Sequence, residues 1–174
     1  MQDVDCETAT VQSVLSRRRL LAGTGMLGVT MAGGSQMAAA EETEKSELEI
    51  ASETLVTNFC RDWALRDIDA LLPYLADDLV YQITPGQPLI TSAEQFAKQM
   101  GPFLTKMESI DWEILRSYVI GQLVLNERID HFNAPADSKS PSMHFHIAGH
   151  FFVEDGKIKI WKDWPIPGKK QIIG

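Results

Sequence analysis

Two aspartates and an arginine are the side chains of this sequence best suited to chemistry. Arg128 and Asp130 lie in the apolar segment 123–132, and Asp163 lies in the segment 157–164. Both segments have the composition of strands, and alternate side chains of a strand point to the same face. If the two faces meet, one guanidinium lies between two carboxylates among apolar neighbours. Such a site can keep one carboxyl ionised and the other protonated, which makes an acid/base pair.

The rest of the sequence predicts the elements that must position these side chains. Apolar residues at helical spacing predict a helix over about 50–64, and Asp67 is placed to cap a second short helix that runs from Ile68 to Leu75. A capping box at Thr91-Ser92-Ala93-Glu94 predicts the start of a third helix. Strands are predicted at about 79–83, 110–120, 123–132, 144–153 and 157–164, with a hairpin turn at Asp155-Gly156. This order predicts an α+β domain in which three helices cover a curved, mainly antiparallel sheet.

The N-terminal region has the pattern of an export signal. Ser16-Arg17-Arg18-Arg19-Leu20-Leu21 resembles a twin-arginine motif, a mild apolar run follows, and Ala38-Ala39-Ala40 offers a peptidase site. The run is too short and too rich in glycine for a stable membrane anchor. Residues 1–40 are therefore predicted to be a signal peptide for the twin-arginine export machinery, which implies a periplasmic or secreted protein. The alternative is a tail with chance arginines.

Residues 41–49 are predicted to be a flexible lead-in, and residues 50–174 a single domain. The chain carries 24 acidic and 16 basic residues, a net charge of −8. An acidic chain without a basic patch argues against nucleic acid as a partner. Cys6 would leave with the signal, and Cys60 lies in an apolar helical pattern that indicates a buried, inert thiol.

Four short motifs occur in the order of a known family. They are Ala76-Asp77-Asp78-Leu79-Val80-Tyr81-Gln82, Glu127-Arg128-Ile129-Asp130, Gly156-Lys157-Ile158 and Trp161-Lys162-Asp163. Together they resemble limonene epoxide hydrolase and the SnoaL-like polyketide cyclases, within the superfamily of proteins like nuclear transport factor two. The resemblance implies a cone-shaped, cystatin-like α+β fold, a cofactor-free site, and a homodimer formed through the outer sheet face.

The resemblance also implies a role for each candidate catalytic residue. In that family epoxide opening takes one step without a covalent intermediate. By position, Asp163 would be the general base that activates water, Asp130 the general acid, and Arg128 the bridge between them. Tyr81 would help to hold the water.

One position departs from the family pattern. The family places an asparagine two residues after this tyrosine to hold the water, and here that position is Ile83. In a regular strand Gln82 and Thr84 would point to the opposite face, so neither would replace the asparagine.

Apolar residues around the three polar ones predict a pocket for a small hydrophobic substrate. The predicted lining consists of Ile83, Met100, Phe103, Leu104, Phe132, Phe145, Ile147 and Trp161. The alternative is that these side chains form plain core.

The histidines raise the question of a metal site. His144, His146 and His150 share one strand face, and a His-x-His pair is a common metal pattern. Their neighbours Phe145, Ile147 and Gly149 fall on the face that the resemblance assigns to the pocket. The histidines are therefore predicted to point outward, and no metal site is predicted. His131 lies opposite the Arg128 face and is predicted to be structural.

These observations predict an exported α+β protein that adds water to a small apolar epoxide without a cofactor. Two alternatives stay open. One is a SnoaL-like isomerase or cyclase that moves a proton next to a carbonyl. The other is a non-catalytic periplasmic protein that binds a hydrophobic ligand.

Overall fold

A computed structural model describes residues 44–139 and 141–167. The predicted signal peptide lies outside these residues, and export and the homodimer stay predictions. The helices are α1 Glu47–Asp62, α2 Ile68–Leu71 and α3 Ala93–Leu104, with short 3₁₀ turns at Trp63–Leu65 and Leu72–Tyr74. The strands are β1 Leu75–Gln82, β2 Ser109–Ile120, β3 Leu123–Asn133, β4 Met143–Glu154 and β5 Lys157–Pro165.

The five strands form one mixed, mainly antiparallel sheet in the order β1-β5-β4-β3-β2. β2 to β5 follow one another as antiparallel neighbours, whereas β1 runs parallel to β5 at the edge. The predicted α+β class is therefore confirmed. The order also places β4 between β3, which carries Arg128 and Asp130, and β5, which carries Asp163.

Helix α1 begins earlier than its apolar pattern predicted. Ser46 is its N-cap: the Ser46 hydroxyl accepts from the Glu49 N–H, and the Glu49 carboxylate accepts from the Ser46 N–H. This capping box starts the helix at Glu47, so the end of the predicted lead-in 41–49 is helical. Within the described residues, none of the helices has the length and apolar character needed to cross a bilayer.

The second helix is shorter than predicted. Asp67 caps it as expected by accepting from the Asp69 N–H. The α-helix ends at Leu71, because Pro73 has no N–H to donate to the preceding turn. Leu75, predicted in this helix, is instead the first residue of β1.

The cap of α3 lies one residue later than predicted. Ser92 is the N-cap and its hydroxyl accepts from the Gln95 N–H, while the Gln95 side chain accepts from the Thr91 N–H. The predicted pairing of Thr91 with Glu94 is therefore wrong. Helix α3 still begins at Ala93.

The core lies between the helices and the inner face of the sheet. Its centre is aromatic: the Phe59 ring of α1 meets Trp161 of β5 edge-on at 5.2 Å, and Trp63 stacks on Trp112 of β2 at 4.2 Å. Phe151 of β4 is fully buried beside them. Aromatic pairs of this kind contribute about 0.5–1.5 kcal/mol each beyond their buried area. They form a rigid support for the inner face on which Arg128 and the aspartates lie.

The Asp155-Gly156 turn connects β4 to β5 as predicted, and a shift in the β4–β5 register at Phe152/Val153 lies between the turn and Asp163. Both turn residues have positive φ, 50° at Asp155 and 70° at Gly156, as a type I′ turn requires. No atom lies within 4 Å of the position that a Cβ at Gly156 would take. A side chain at Gly156 would therefore cost backbone strain alone.

We expect Gly156→Ala to lower the free energy of unfolding by about 1 kcal/mol, because alanine disfavours a positive φ. Urea denaturation followed by circular dichroism measures this change. Asp155→Asn is the matched control and should leave the midpoint unchanged or raise it slightly, since asparagine tolerates this conformation. An unchanged midpoint for Gly156→Ala would contradict the assigned turn.

Candidate active site

Arg128 is the centre of a buried polar cluster on the inner face of the sheet. The side chain is fully buried, and Nε donates to Oδ1 of Asp130 at 2.7 Å. Nη2 donates both to Oδ2 of Asp130 at 3.2 Å and to Oδ1 of Asp163 at 2.9 Å. The two acids from separate strands therefore meet at one guanidinium nitrogen.

Asp163 is as buried as Asp130 but accepts hydrogen bonds from more residues. Its Oδ1 accepts from the Trp161 indole N–H at 2.8 Å as well as from Arg128, and its Oδ2 accepts from the Tyr81 hydroxyl at 3.2 Å. Burial raises the pKa of Asp163 above its ordinary value, and Arg128, Trp161 and Tyr81 oppose this rise without cancelling it. Three donors all favour the ionised form, so we assign the negative charge of the cluster to Asp163.

Within the described part of the chain, Asp130 accepts side-chain hydrogen bonds only from Arg128, and it is 4% exposed. Burial raises the pKa of Asp130 to about 7, helped by the nearby Asp163 charge and opposed by Arg128. Burial opposes the charge of Arg128 too, but the two carboxylates raise its pKa above the ordinary value, so it stays protonated. Arg128 then carries a positive charge, Asp163 carries a negative charge, and Asp130 is protonated and neutral. The cluster has no net charge, which lowers the free-energy cost of burying it.

Aromatic rings hold the guanidinium and the aspartates in place. The Arg128 Cζ lies 4.4 Å from the centre of the Trp112 ring, a cation–π contact. Tyr81 stacks on Trp161 at 3.6 Å, and Trp161 stacks on Phe151 at 5.6 Å. Burial and the Asp163 charge raise the pKa of Tyr81 well above its ordinary value, so its hydroxyl remains a donor.

Asn126 belongs to this cluster, although the sequence analysis did not select it. Its Oδ1 accepts from Nη1 of Arg128 at 3.1 Å, and its Nδ2 donates to the Cys60 Sγ at 3.6 Å. Asn126 is 4% exposed. Its spacing of two residues from Arg128 was the available signal, because it places both side chains on the same strand face.

A cavity of about 570 Å³ opens above the aspartates. Asp130, Asp163 and Tyr81 lie in its wall, together with six of the residues predicted to line it: Ile83, Met100, Phe103, Phe132, Phe145 and Ile147. Arg128 lies behind the carboxylates and does not line the cavity. A ligand would therefore meet an acid pair in an otherwise apolar wall.

The structure corrects two predictions about the lining. Trp161 and Leu104 are fully buried and do not line the cavity. The Trp161 ring packs flat against Tyr81 and Phe151, so it supports Asp163 from behind. Leu104 packs in the core, while Phe103 lies in the cavity wall.

Other lining residues were missed. They are Trp63, Thr84, Gln99, Trp112, Met143 and Pro165. Thr84 was expected to point away from the pocket, which is wrong because β1 ends at Gln82 and the strand alternation stops there. The Thr84 hydroxyl donates to the Ile83 carbonyl at 2.8 Å.

The histidines lie on the outer face of the sheet, opposite the cavity. His144 and His150 are exposed, and His146 approaches Oε1 of Glu127 at 2.7 Å. His131 and His144 are cross-strand partners whose Nδ1 atoms lie 2.8 Å apart. Among residues 44–139 and 141–167, no three His, Cys, Asp or Glu side chains are grouped in a way that fits a metal ion.

Comparison with known proteins agrees with this architecture. The SnoaL-like domain family matches residues 56–161. An LEH-like epoxide hydrolase from M. tuberculosis is 25% identical, with a TM-score of 0.59 over 68% of this chain and 84% of that chain. No curated protein matched the chain in a sequence search.

Two further solved structures share the fold. A putative SnoaL-like polyketide cyclase from Jannaschia sp. CCS1 is 10% identical, with a TM-score of 0.59 over 71% of this chain and 90% of that chain. A putative polyketide cyclase from Xanthomonas campestris pv. campestris is 18% identical, with a TM-score of 0.57 over 68% and 92%. The family match extends over most of the described residues; it includes Asp130 on β3 and ends at Trp161 on β5, two residues before Asp163. The chain therefore belongs to the SnoaL-like domain family, with a fold like that of nuclear transport factor two.

Proposed function

We propose that this protein hydrolyses a small hydrophobic epoxide to a diol, using Asp163, Arg128 and Asp130 without a cofactor or a covalent intermediate. One observation carries the proposal. A single nitrogen, Nη2 of Arg128, lies 2.9 Å from one carboxylate and 3.2 Å from the other, and both carboxylates line an apolar cavity. The 25% identity to an LEH-like epoxide hydrolase supports the choice of reaction.

Asp163 acts as the general base. It carries the negative charge of the cluster, lines the cavity, and has Tyr81 hydrogen-bonded to its Oδ2. A water beside Asp163 loses a proton to the carboxylate while its oxygen forms a bond to an epoxide carbon. General-base assistance of this kind contributes about 10²–10⁴-fold to the rate.

Asp130 acts as the general acid. Its pKa, raised to about 7, leaves a substantial fraction of the carboxyl protonated at neutral pH, and the carboxyl faces the cavity. As the carbon–oxygen bond of the epoxide breaks, this proton passes to the departing oxygen. The step leaves Asp163 protonated and Asp130 ionised, and a proton exchange between them through solvent in the cavity restores the resting state.

The remaining cavity wall selects the substrate. Beyond the acids it is lined mainly by aromatic and aliphatic side chains, including Phe132, Phe145 and Ile147. Burial of an apolar ligand on such a surface is favourable, at about 25 cal/mol per Å². The oxygen is the one polar atom of an apolar epoxide, and the protonated Asp130 in the cavity wall can donate a hydrogen bond to it.

A SnoaL-like isomerase or cyclase activity is the second candidate, and Ile83 favours it. Ile83 lies in the cavity wall where the hydrolase family holds its water with an asparagine. A proton transfer next to a carbonyl needs no held water. Asp163 would remove the proton, and Asp130 would donate a hydrogen bond to the enolate oxygen.

The two candidates differ in the product that forms in heavy-oxygen water. We expect the protein to convert apolar epoxides to diols that carry one labelled oxygen, detected by mass spectrometry. Asp163→Asn and Asp130→Asn should each lower kcat/KM by at least about 10²-fold, because each removes one proton-transfer group.

Asp111→Asn is the matched control, because Asp111 is an exposed carboxylate on β2. It should leave the rate unchanged. Unlabelled diol would rule out attack by water, and exchange of solvent deuterium into a ketone without any diol would favour the isomerase.

The pH dependence of the reaction follows from the two acids, which titrate as a coupled pair. Activity requires Asp130 protonated, so kcat/KM should fall about tenfold per pH unit above a pKa near 7. It should also fall at low pH, where Asp163 takes up a proton. A kcat/KM profile from pH 4 to 9 tests this expectation, and a rate that stays level to pH 9 would contradict the role of Asp130 as the acid.

A further inference from the structure

The strand order sets a geometric problem for the Asp–Arg–Asp cluster. Asp130 lies on β3 and Asp163 on β5, with β4 between them. Neighbouring strands are about 4.8 Å apart, so about 10 Å of sheet separates the two strands. One guanidinium can reach both carboxylates only by crossing the inner face of β4.

Gly149 is the residue of β4 at this crossing. It pairs directly with Asn126 on β3 and with Asp163 on β5. A Cβ at Gly149 would lie 2.1 Å from Nη1 of Arg128 and 2.6 Å from Oδ1 of Asn126. Its backbone is not among those with positive φ, so backbone conformation does not require glycine here. The space that the missing side chain leaves is occupied by the arginine.

Asn126 holds the guanidinium in that space. Its Oδ1 accepts a hydrogen bond from Nη1 of Arg128, so Nε and Nη2 remain to donate to the two carboxylates. The Asn126 amide is itself oriented by Cys60, whose Sγ accepts from Nδ2 at 3.6 Å. Burial raises the pKa of Cys60 to about 12, so its thiol is neutral and does not compete for the cation.

We propose that Gly149 and Asn126 are positioning residues that form a seat for Arg128, so that one guanidinium spans three strands and contacts both acids. Their effect on catalysis rests on the proposed function. Their effect on the cluster does not, because it concerns contacts that exist without substrate.

Gly149 could instead be required only for packing against a neighbouring ring, and this role must be distinguished from positioning Arg128. A Cβ there would also lie 2.8 Å from Cε2 of Phe151, so the glycine could serve ring packing alone. Lysine in place of Arg128 separates the two roles, because a lysine side chain has no atom at the Nη1 position. It would relieve the contact with the guanidinium but not the contact with Phe151.

The first experiment is a double-mutant cycle of Gly149→Ala with Arg128→Lys, measured as urea midpoints. We expect Gly149→Ala to lower the midpoint strongly in the Arg128 protein and by less than half as much in the Arg128→Lys background. Ala148→Ser is the control, since it adds one heavy atom at the neighbouring residue on the other face of β4. Equal losses in both backgrounds, including a failure to fold in both, would overturn the role of Gly149.

The second experiment tests Asn126 without any substrate. Because Arg128 lowers the pKa of Asp130, a loosened guanidinium should let that pKa rise. We expect Asn126→Leu, which removes the acceptor at similar size, to raise the pKa of Asp130 by at least about half a unit, a threefold change in proton affinity. Carboxyl ¹³C NMR across pH 4–9 measures it, and an unchanged value would overturn the role of Asn126.

Ser117→Ala is the control for Asn126→Leu, because Ser117 pairs with Asn126 on β2. It should leave the titration of Asp130 unchanged. If the wild-type protein forms no diol from any epoxide, the proposed reaction is wrong. The double-mutant cycle in urea and the carboxyl titration still test whether Gly149 and Asn126 position Arg128.

Discussion

The site depends on one interaction, the contact of a single buried guanidinium with two carboxylates. A buried cation alone would be costly, and two buried anions beside each other would be more so. Both costs fall when Arg128 contacts an ionised Asp163 and a protonated Asp130, because the buried charges are then paired. The same arrangement that makes the cluster tolerable in the core supplies a base and an acid on the cavity wall. Stability and reactivity therefore have a common physical origin here.

The residues that surround the Arg128 cluster hold it in place. The aromatic layer built from Trp112, Trp161 and Phe151 holds the guanidinium and Asp163 from behind and excludes water. Low local polarity strengthens each hydrogen bond of the cluster and raises the pKa of Asp130. The absence of a side chain at Gly149 leaves the space that the Arg128 guanidinium occupies on its way to β5.

Strand alternation in the sequence correctly grouped Arg128 with Asp130, because the period of two is a local property of any strand. The Asp-Gly dipeptide correctly predicted the turn at Asp155-Gly156, since these residue types favour positive φ. The same alternation puts Asn126 on that face, but Asn126 was not selected, because its role depends on long-range contacts. Alternation also placed Gly149 on the pocket face, but a local pattern does not show that a guanidinium crosses β4 there, so the role of Gly149 was not recognised.

The errors have local physical causes. Two capping patterns overlap at Thr91-Ser92, and the pair Ser92 with Gln95 formed instead of Thr91 with Glu94. Trp161 and Leu104 are apolar like true lining residues, and only packing decides whether such a side chain faces a cavity or the core.

Neutron diffraction at pH 6 tests the central claim most directly. The account predicts a deuteron on Asp130, none on Asp163, and Arg128 in contact with both. A deuteron on Asp163, or either carboxylate turned away from the guanidinium, would contradict it.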